Sequence, residues 1–219
     1  MGYTTEFTGK FSLDKVLTPD HKRYLEMFAE TRRMKRNPDV IPNLSTDPVK
    51  PERRGDPEPV HKNQACLDLL EKLSLSLGTE GGYYCGSGYA GQGSDKSIVD
   101  YNQPPTGQPG LWCQWIPTKN GKGIEWNGQE KFYAYVEWLE YLIKNFLKPW
   151  GYTVSGIVRW QGEDSGDKGI LIVKKNKVNA YGIEEYKVLQ TPVKELPLLL
   201  GKLKTDDGKA RLAKRLKEV

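Results

Sequence analysis

Residues 129–148 read QEKFYAYVEWLEYLIKNFLK, and this stretch carries the strongest periodicity in the chain. Apolar side chains recur in it every three or four positions, which is the spacing of one face of an α-helix. They are Phe132, Tyr135, Val136, Leu139, Leu142, Ile143 and Phe146. Glu130 stands in the first turn and Lys148 in the last, where each charge complements the helix dipole, and Pro149 follows. The pattern predicts a long amphipathic helix over 129–148.

Predicted strands flank this helix on both sides. Upstream, 111–116 and 123–126 are short apolar runs separated by an Asn-Gly turn at 120–121, so they predict a hairpin. Downstream, three runs predict strands, at 152–160, 169–175 and about 178–186.

The N-terminal segment predicts one more strand and one more helix. Residues 6–14 alternate between apolar and polar side chains, which is typical of a half-buried strand. Thr18 and Pro19 then supply a helix cap and a first turn, and the predicted helix runs through Arg36 and stops before Pro38. The resulting order predicts an α+β fold. We expect a ferredoxin-like split βαβ sandwich, with an extended antiparallel sheet and a long loop insertion between helix 1 and strand 2.

We expect a single α+β domain at 1–191 and a basic tail at 192–219 that contains a short amphipathic helix. The insertion has three predicted parts: a Pro-rich arm at 37–62, a helix at 63–77 and a Gly- and aromatic-rich loop at 78–110, which together form insertion 37–110. A loop longer than about 30 residues is unusual in a compact domain. This one is too aromatic for a plain linker, so we expect it to be functional.

Composition narrows the class of protein. No apolar run approaches the roughly 20 residues that span a bilayer, so we expect no membrane partner. The N-terminus lacks the features of a signal peptide, and the three Cys form neither a CxxC pair nor an even set, which predicts reduced thiols in a cytoplasmic protein. The net charge of +5 is concentrated in 15–36 and 192–219, so attraction to polyanions is local. No cofactor motif is present, and we expect no cofactor.

The most suggestive residues lie in the basic run 32–36 and the loop 78–110. Arginine presents a planar fork to phosphate, and tyrosine can stack on a nucleobase. Residues 86–91 match G-x-G-x-x-G, but no helix is expected to follow, so the pattern predicts neither a dinucleotide nor a kinase loop. Glycine-rich backbone can still present N–H groups to an anion. The predicted ligand-binding residues are Arg32, Arg33, Arg36, Tyr84, Gly86, Gly88, Tyr89, Gly91, Asp100, Tyr101 and Asn102.

Three functions are compatible with these features. The first is a non-enzymatic binding protein that grips an anionic, nucleotide-like ligand or a protein partner with this loop and the Arg cluster. The second is nucleic-acid binding through the basic ends and strand aromatics. The third is a metal-assisted phosphoester hydrolase, in which Glu163, Asp164 and Asp167 hold the ion, although acids are also common in turns of this kind.

Five segments have a distinctive residue order: YTTEF at 3–7, TRRMKR at 31–36, DYNQPP at 100–105, QPGLWCQW at 108–115 and WQGED at 160–164. In these segments the chain resembles a family of short uncharacterised bacterial and phage proteins. The resemblance covers most of residues 3–180 and implies a bacterial or phage source. It implies no activity and assigns no residue a role.

Overall fold

The computed structural model describes residues 2–43, 64–86, 95–199 and 201–217. Its strands are β1 Thr5–Leu13, β2 Lys35–Arg36, β3 Ile98–Asp100, β4 Trp115–Pro117, β5 Gly123–Trp126, β6 Val154–Gly162, β7 Lys168–Lys174 and β8 Lys177–Gly182. Six of them form one sheet in the order β4-β5-β1-β6-β7-β8, in which all neighbours are antiparallel, and β2 pairs with β3 separately. The predicted α+β class and antiparallel sheet are confirmed.

The helices are α1 Pro19–Glu30, α2 Gln64–Lys72, α3 Tyr135–Leu142, α4 Ile183–Gln190 and α5 Asp206–Lys217. A π-helical segment, Ile143–Leu147, continues α3, and 3-10 segments lie at Ile41–Asn43, Thr79–Gly81 and Val193–Leu199. The helices α1 and α3 contact the sheet at β4, and α4 contacts it at β7 and β8. The short helix predicted in the tail 192–219 corresponds to α5, whereas the sequence pattern predicts no helix at the position of α4.

The alternation in β1 places its aromatic side chains in the core. Phe7 and Phe11 are buried, whereas Thr8 and Lys10 between them are exposed. The Phe7 ring makes edge-on contacts at 4.9 Å with Tyr135 and at 5.3 Å with Trp115. Such aromatic pairs contribute about 0.5–1.5 kcal/mol each beyond the burial of area, so β1 anchors both α3 and β4.

Two predicted helices begin or end elsewhere in the structure. The prediction that the first helix runs to Arg36 is wrong, because α1 ends at Glu30 and Thr31 already has extended backbone at φ −90° and ψ 124°. The helix predicted to begin at 129 begins at Tyr135, since Ala134 takes a left-handed conformation at φ 52°. In both places tertiary contacts override the periodic pattern.

The other differences lie at the ends of predicted elements. The helix predicted for 63–77 ends at Lys72, and Ser74 follows at φ 52°. The strand predicted for 178–186 ends at Gly182, where the N–H of Gly182 donates to Oε2 of Glu185 at 3.2 Å and α4 begins. Within the C-terminal region, the buried side chains of Val188, Leu196, Leu203 and Leu212 form a small second hydrophobic cluster.

Candidate functional site

The segment that follows α1 is extended and pairs with the distant loop. The backbone N–H groups of Arg33, Lys35 and Asn37 donate to the carbonyls of Leu111, Gln103 and Ser97 at 2.9, 2.9 and 2.7 Å. The hydroxyl of Thr31 donates to Met27 O at 2.6 Å and accepts from the N–H of Gly86 at 2.7 Å. The basic run therefore lies against the loop 78–110, a proximity that the sequence alone does not establish.

Arg33 fastens the loop from inside the protein. Its side chain is only 2% exposed, and its guanidinium donates to Tyr84 O and Gly82 O at 2.7 Å each and to Oε1 of Gln108 at 3.1 Å. Its Cζ lies 4.0 Å from the centre of the Phe28 ring. Burial lowers the pKa of Arg33, and the carbonyl dipoles and ring face replace water around its charge. Arg33 is therefore committed to internal contacts.

Arg36 is the second buried arginine. Its Nη1 bonds to Oδ2 of Asp95 at 2.6 Å and to Oγ of Ser97 at 2.8 Å, and its Cζ lies 4.3 Å from the centre of the Tyr84 ring. Desolvation would raise the pKa of Asp95, but the hydrogen bonds from Ser97 and Arg36 outweigh it and the pKa lies below its usual value. Burial raises the pKa of Tyr84. This pair ties β2 to the residues just before β3.

A third contact closes the loop on itself. Oε2 of Glu80 accepts from the N–H of Thr106 at 2.7 Å and from its hydroxyl at 3.0 Å, while Oε1 pairs with Lys35 at 3.3 Å. The hydrogen bonds from Thr106 lower the pKa of Glu80. The described parts of the loop 78–110 are therefore held at both ends and at Asp95.

Arg32 differs from the other two arginines because it is only half-buried. Its Cζ is 4.4 Å from the centre of the Tyr101 ring and 5.9 Å from that of Trp112. Its Nε donates to Tyr101 O and its Nη2 to Oδ1 of Asn102, both at 3.2 Å. In the described part of the chain no carboxylate pairs with it, and its Nη1 has no partner. We call Arg32, Tyr101, Asn102 and Trp112 the Arg32 rim.

A cavity of about 920 Å³ adjoins the Arg32 rim through Trp112, and we call it the Trp138 cavity. Its lining includes Trp138, Gly110 and Leu111, together with three acidic residues, Glu26, Glu30 and Glu130. The indole Nε1 of Trp138 is buried and has no hydrogen-bond partner among the described residues. A cavity of this size is typical of small-molecule sites.

A second cavity, of about 1470 Å³, is lined by residues from both ends of the loop 78–110. It is lined by Gly78, Gly82 and Tyr83 on the loop side and by Tyr141 and Lys144 on the helix side. The π-helical segment Ile143–Leu147 contributes to it, and such segments are frequent at functional sites. The loop 78–110 thus borders two cavities.

The predicted site residues fall on two sides of the loop. Arg33, Arg36, Tyr84 and Gly86 are buried on its inner side, whereas Arg32 lies on the outer side. The other outer residues are Asp100, Tyr101 and Asn102. Gly88, Tyr89 and Gly91 lie outside the described residues. Trp112 lies in the predicted strand 111–116 and Trp138 in the predicted helix 129–148, and no sequence pattern indicates that a cavity opens beside them.

The acidic turn after β6 holds the N-terminal segment. Oε1 of Glu163 accepts from the N–H of Thr4 at 2.7 Å, and Oδ2 of Asp167 accepts from the hydroxyl of Tyr3 at 2.7 Å. The N–H of Asp164 donates to the same hydroxyl at 3.3 Å. Across the described residues, no group of three or more His, Cys, Asp or Glu side chains is arranged to hold a metal ion. These contacts give the hydrolase alternative no support.

Some of the residues that nucleic-acid binding would use make contacts inside the protein. Trp115 is buried, and Trp126 contacts Phe7 edge-on at 5.5 Å. Arg215 of α5 donates to Leu189 O and Thr191 O at 3.0 Å each, so it caps the end of α4. Trp115 and Trp126 thus make contacts inside the protein.

The cysteines are buried. Cys66 and Cys85 lie together, with the N–H of Cys85 donating to Sγ of Cys66 at 3.2 Å, and burial raises the pKa of Cys113 to about 12. No cysteine is therefore exposed in the manner of a catalytic nucleophile.

Comparison with protein-family models, with curated proteins and with solved structures finds no match for this chain. The resemblance to bacterial and phage proteins stays a prediction. Within the described residues, every helix is too short or too polar to cross a bilayer.

Proposed function

We propose that this protein is a non-enzymatic binding protein that holds an anionic, nucleotide-like ligand between the Arg32 rim and the Trp138 cavity. The observation that carries the proposal is the state of Arg32. It is stacked on Tyr101 and held by Asn102, and among the described residues it has neither a carboxylate partner nor a hydrogen bond from Nη1. A guanidinium fixed in this way is preorganised to bind a phosphate oxygen.

The surroundings of Arg32 support a ligand that also carries a flat ring. The half-buried ring of Trp112 lies beside the guanidinium and lines the Trp138 cavity, so one ligand can touch both. Stacking of a base on an aromatic side chain contributes about 1–3 kcal/mol. The phosphate would meet Arg32, and the base would lie against Trp112.

The contacts that hold the described parts of the loop support binding in another way. Because Arg33 and Glu80 fasten these parts without any ligand, they lose little conformational entropy when a ligand arrives. In this proposal the buried arginines position Arg32, Tyr101 and Asn102, and they make no contact with the ligand themselves.

We also propose that the sheet is a ferredoxin-like split βαβ arrangement with β7 and β8 added at one edge. The order of its strands supports this assignment. β1 lies between β5 and β6 and is antiparallel to both, and these two strands flank α3 in the sequence.

Thermal unfolding in the presence of a nucleotide panel tests the function. A ligand at about 100 times its Kd stabilises the native state by about 2.7 kcal/mol, which raises the Tm of a chain of this size by roughly 5–11 °C. We expect such a rise with wild-type protein and its loss in Arg32→Gln. Arg23→Gln, an exposed arginine on α1, is the matched control and keeps the rise. A panel in which no nucleotide raises the Tm of the wild type would refute the proposal.

A further inference from the structure

We infer that the free edge of β8 binds an extended acidic peptide, which adds a strand to the six-stranded sheet and places its carboxylates on three lysines beside that edge. An added strand of this kind gains affinity from main-chain hydrogen bonds and specificity from its side chains. The inference is independent of the proposed function, because its residues lie outside the Arg32 rim and the Trp138 cavity.

The strand β8 lies at one end of the sheet order and pairs with β7 on one side. The turn at 175–176 has positive φ at both positions, so the Lys174–Lys177 pair that closes this two-residue hairpin is hydrogen-bonded. Bonded and non-bonded pairs alternate along an antiparallel ladder, and the N–H and C=O groups of Val178 and Ala180 therefore point away from β7. These groups have no backbone partner among the described residues.

The edge of β8 is open to pairing. Its ladder with β7 is continuous over six residue pairs without a bulge, and the strand contains no proline. Ala180 is exposed and Val178 is half-buried, while Lys177 is the one charged residue of the strand. The strand at the opposite edge, β4, ends in Pro117, which lacks an N–H and so protects that edge. A flat edge without such protection is a template for another strand.

The free edge borders the cavity of about 1470 Å³, because Lys177 and Val178 both line it. The charged residues of the cavity lining are Glu137, Glu140, Lys144, Lys148 and Lys177. Within the described part of the chain, none of the three lysines forms an ion pair, although Glu140 stands four residues before Lys144. The lysines are therefore available to a partner.

The three lysines lie at the same end of this cavity. The N–H of Tyr152 donates to Leu147 O at 2.8 Å, and Tyr152 O accepts from Nδ2 of Asn176 at 3.0 Å. These bonds tie the end of the π-helical segment, beside Lys148, to the turn from which β8 begins. At 1.5 Å per residue, Glu137 lies about 16 Å from Lys148 along the helix axis. The cavity is thus cationic beside the start of β8 and acidic away from it.

This distribution of charge favours a peptide over a nucleic acid. A nucleic acid carries negative charge along its whole length, so the carboxylates of Glu137 and Glu140 would repel it. A peptide can place its acidic side chains at the lysine end alone. Because all neighbouring strands of the sheet are antiparallel, we expect the added strand to run antiparallel to β8, with its acidic residues near its C-terminal end.

A second copy of this chain fits the lysines less well than such a peptide. The acids that follow β8 in the sequence are Glu184 and Glu185. Glu184 accepts from the N–H groups of Lys204 and Thr205, and Glu185 pairs with Arg211 at 3.5 Å. Because these carboxylates already have partners in the C-terminal region, β8 of another copy would bring no free carboxylate to the lysines.

Peptides selected on the immobilised full chain from a random library displayed on phage supply the probe. We expect the selected sequences to be rich in β-branched residues and to carry acids near the C-terminal end. The strongest binder is synthesised with one N-methylated residue at a time, and its Kd is measured by fluorescence anisotropy. N-methylation should weaken binding by about 2- to 13-fold at every second residue, which is the effect of one lost hydrogen bond, and leave it unchanged at the residues between.

Two substitutions test the edge and the lysines separately. Ala180→Pro removes an N–H that faces the free edge and should weaken binding by the same about 2- to 13-fold, whereas Ala180→Val keeps that N–H and is its control. Lys144→Glu turns an attraction into a repulsion and should weaken binding by about 2- to 30-fold at low salt. Lys119→Glu changes an exposed lysine outside the cavity and should bind the peptide as the wild type does.

Unchanged affinity in Lys144→Glu, or N-methylation effects without the alternation, would overturn the inference. So would a selection that enriches no peptide, or a wild-type dimer that Ala180→Pro dissociates, since the dimer would assign the edge to a second copy. If Ala180→Pro fails to fold, the N-methylation series decides the question. Arg32→Gln should bind the peptide normally, so a failure of peptide binding leaves the proposed function standing.

Discussion

Replacing Arg33 by methionine removes three hydrogen-bond donors from the point where the loop 78–110 meets α1. The lost contacts are those to Tyr84 O and Gly82 O at 2.7 Å and to Gln108 Oε1 at 3.1 Å. Methionine retains an unbranched apolar chain that can still lie against Phe28. The substitution therefore isolates the hydrogen bonds of the guanidinium from its packing.

The expected loss of unfolding free energy follows from the number and kind of these hydrogen bonds. A hydrogen bond to a charged group contributes about 1.5–3 kcal/mol, so three bonds set an upper bound near 9 kcal/mol. Methionine recovers part of this loss because it avoids the desolvation of a buried charge. Gly82 O also keeps its bond from Nε2 of Gln108. We expect Arg33→Met to lower the free energy of unfolding by about 3–5 kcal/mol, a large share of the 5–15 kcal/mol usual for a domain.

Urea unfolding followed by tryptophan fluorescence measures the free energy, and trypsin cleavage after exposed Lys96 reports on the loop. We expect the variant to unfold at lower urea and to be cut faster at Lys96. Arg23→Met, on the exposed side of α1, should stay within about 0.5 kcal/mol of the wild type. If Arg33→Met also stayed within about 0.5 kcal/mol of the wild type and left cleavage at Lys96 unchanged, the role assigned to the buried guanidinium would be refuted.

Three further predictions concern single residues of the loop and its surroundings. Gly81→Ala should destabilise the protein more than Gly107→Ala in urea unfolding. Both glycines have positive φ, but a Cβ at Gly81 would lie 2.8 Å from Arg36 Cβ, whereas one at Gly107 meets nothing within 4 Å. Equal losses of unfolding free energy would contradict the packing described. Asp95 has a lowered folded-state pKa, so its contribution is present above its unfolded pKa of about 3.9 and is lost as pH falls through the folded value. Asp95→Asn should therefore flatten the stability profile below about pH 4, and an unchanged profile would count against the Arg36 pairing. Cys113, with a pKa of about 12, should not react with a thiol reagent in the native protein, and rapid labelling at neutral pH would show that it is accessible.

The sequence predicts those parts of the fold in which local pattern and tertiary contacts agree. The alternation of Phe7 and Phe11 identifies β1, and the cap and first turn at Thr18 and Pro19 identify the start of α1. The end of α1 is not predictable in this way. It depends on Thr31 bonding to Gly86, which is 55 residues away, and local propensity contains no information about that contact.

The sequence pattern gives the wrong bounds for elements that depend on contacts with distant residues. α4 directly follows β8 and has only a weak apolar face. The sequence pattern therefore assigns its first residues to the strand predicted at 178–186. In the structure, Glu184 in the first turn of α4 accepts hydrogen bonds from the N–H groups of Lys204 and Thr205, just before α5. A helix that is stabilised by a contact about 20 residues away gives no signal within a short window.

The candidate site was predictable in part. The residue types of Arg32, Tyr101 and Asn102 suggest ligand contact, and the structure brings these three together. Arg33 carries the same local signal, yet its environment makes it a buried anchor. Trp138 gives the opposite case: it lies in the predicted helix but is not one of the apolar positions named there, and the structure buries it, with no partner for its N–H among the described residues.

The most direct test of the account is the set of indole ¹H–¹⁵N resonances during titration with AMP, since the chain contains six Trp. We expect the resonances of Trp112 and Trp138, which line the Trp138 cavity, to shift together with a single Kd. The resonances of Trp150 and Trp160, which do not line the Trp138 cavity, should stay in place. AMP binding that shifts Trp150 or Trp160 and leaves both Trp112 and Trp138 unmoved would contradict the account.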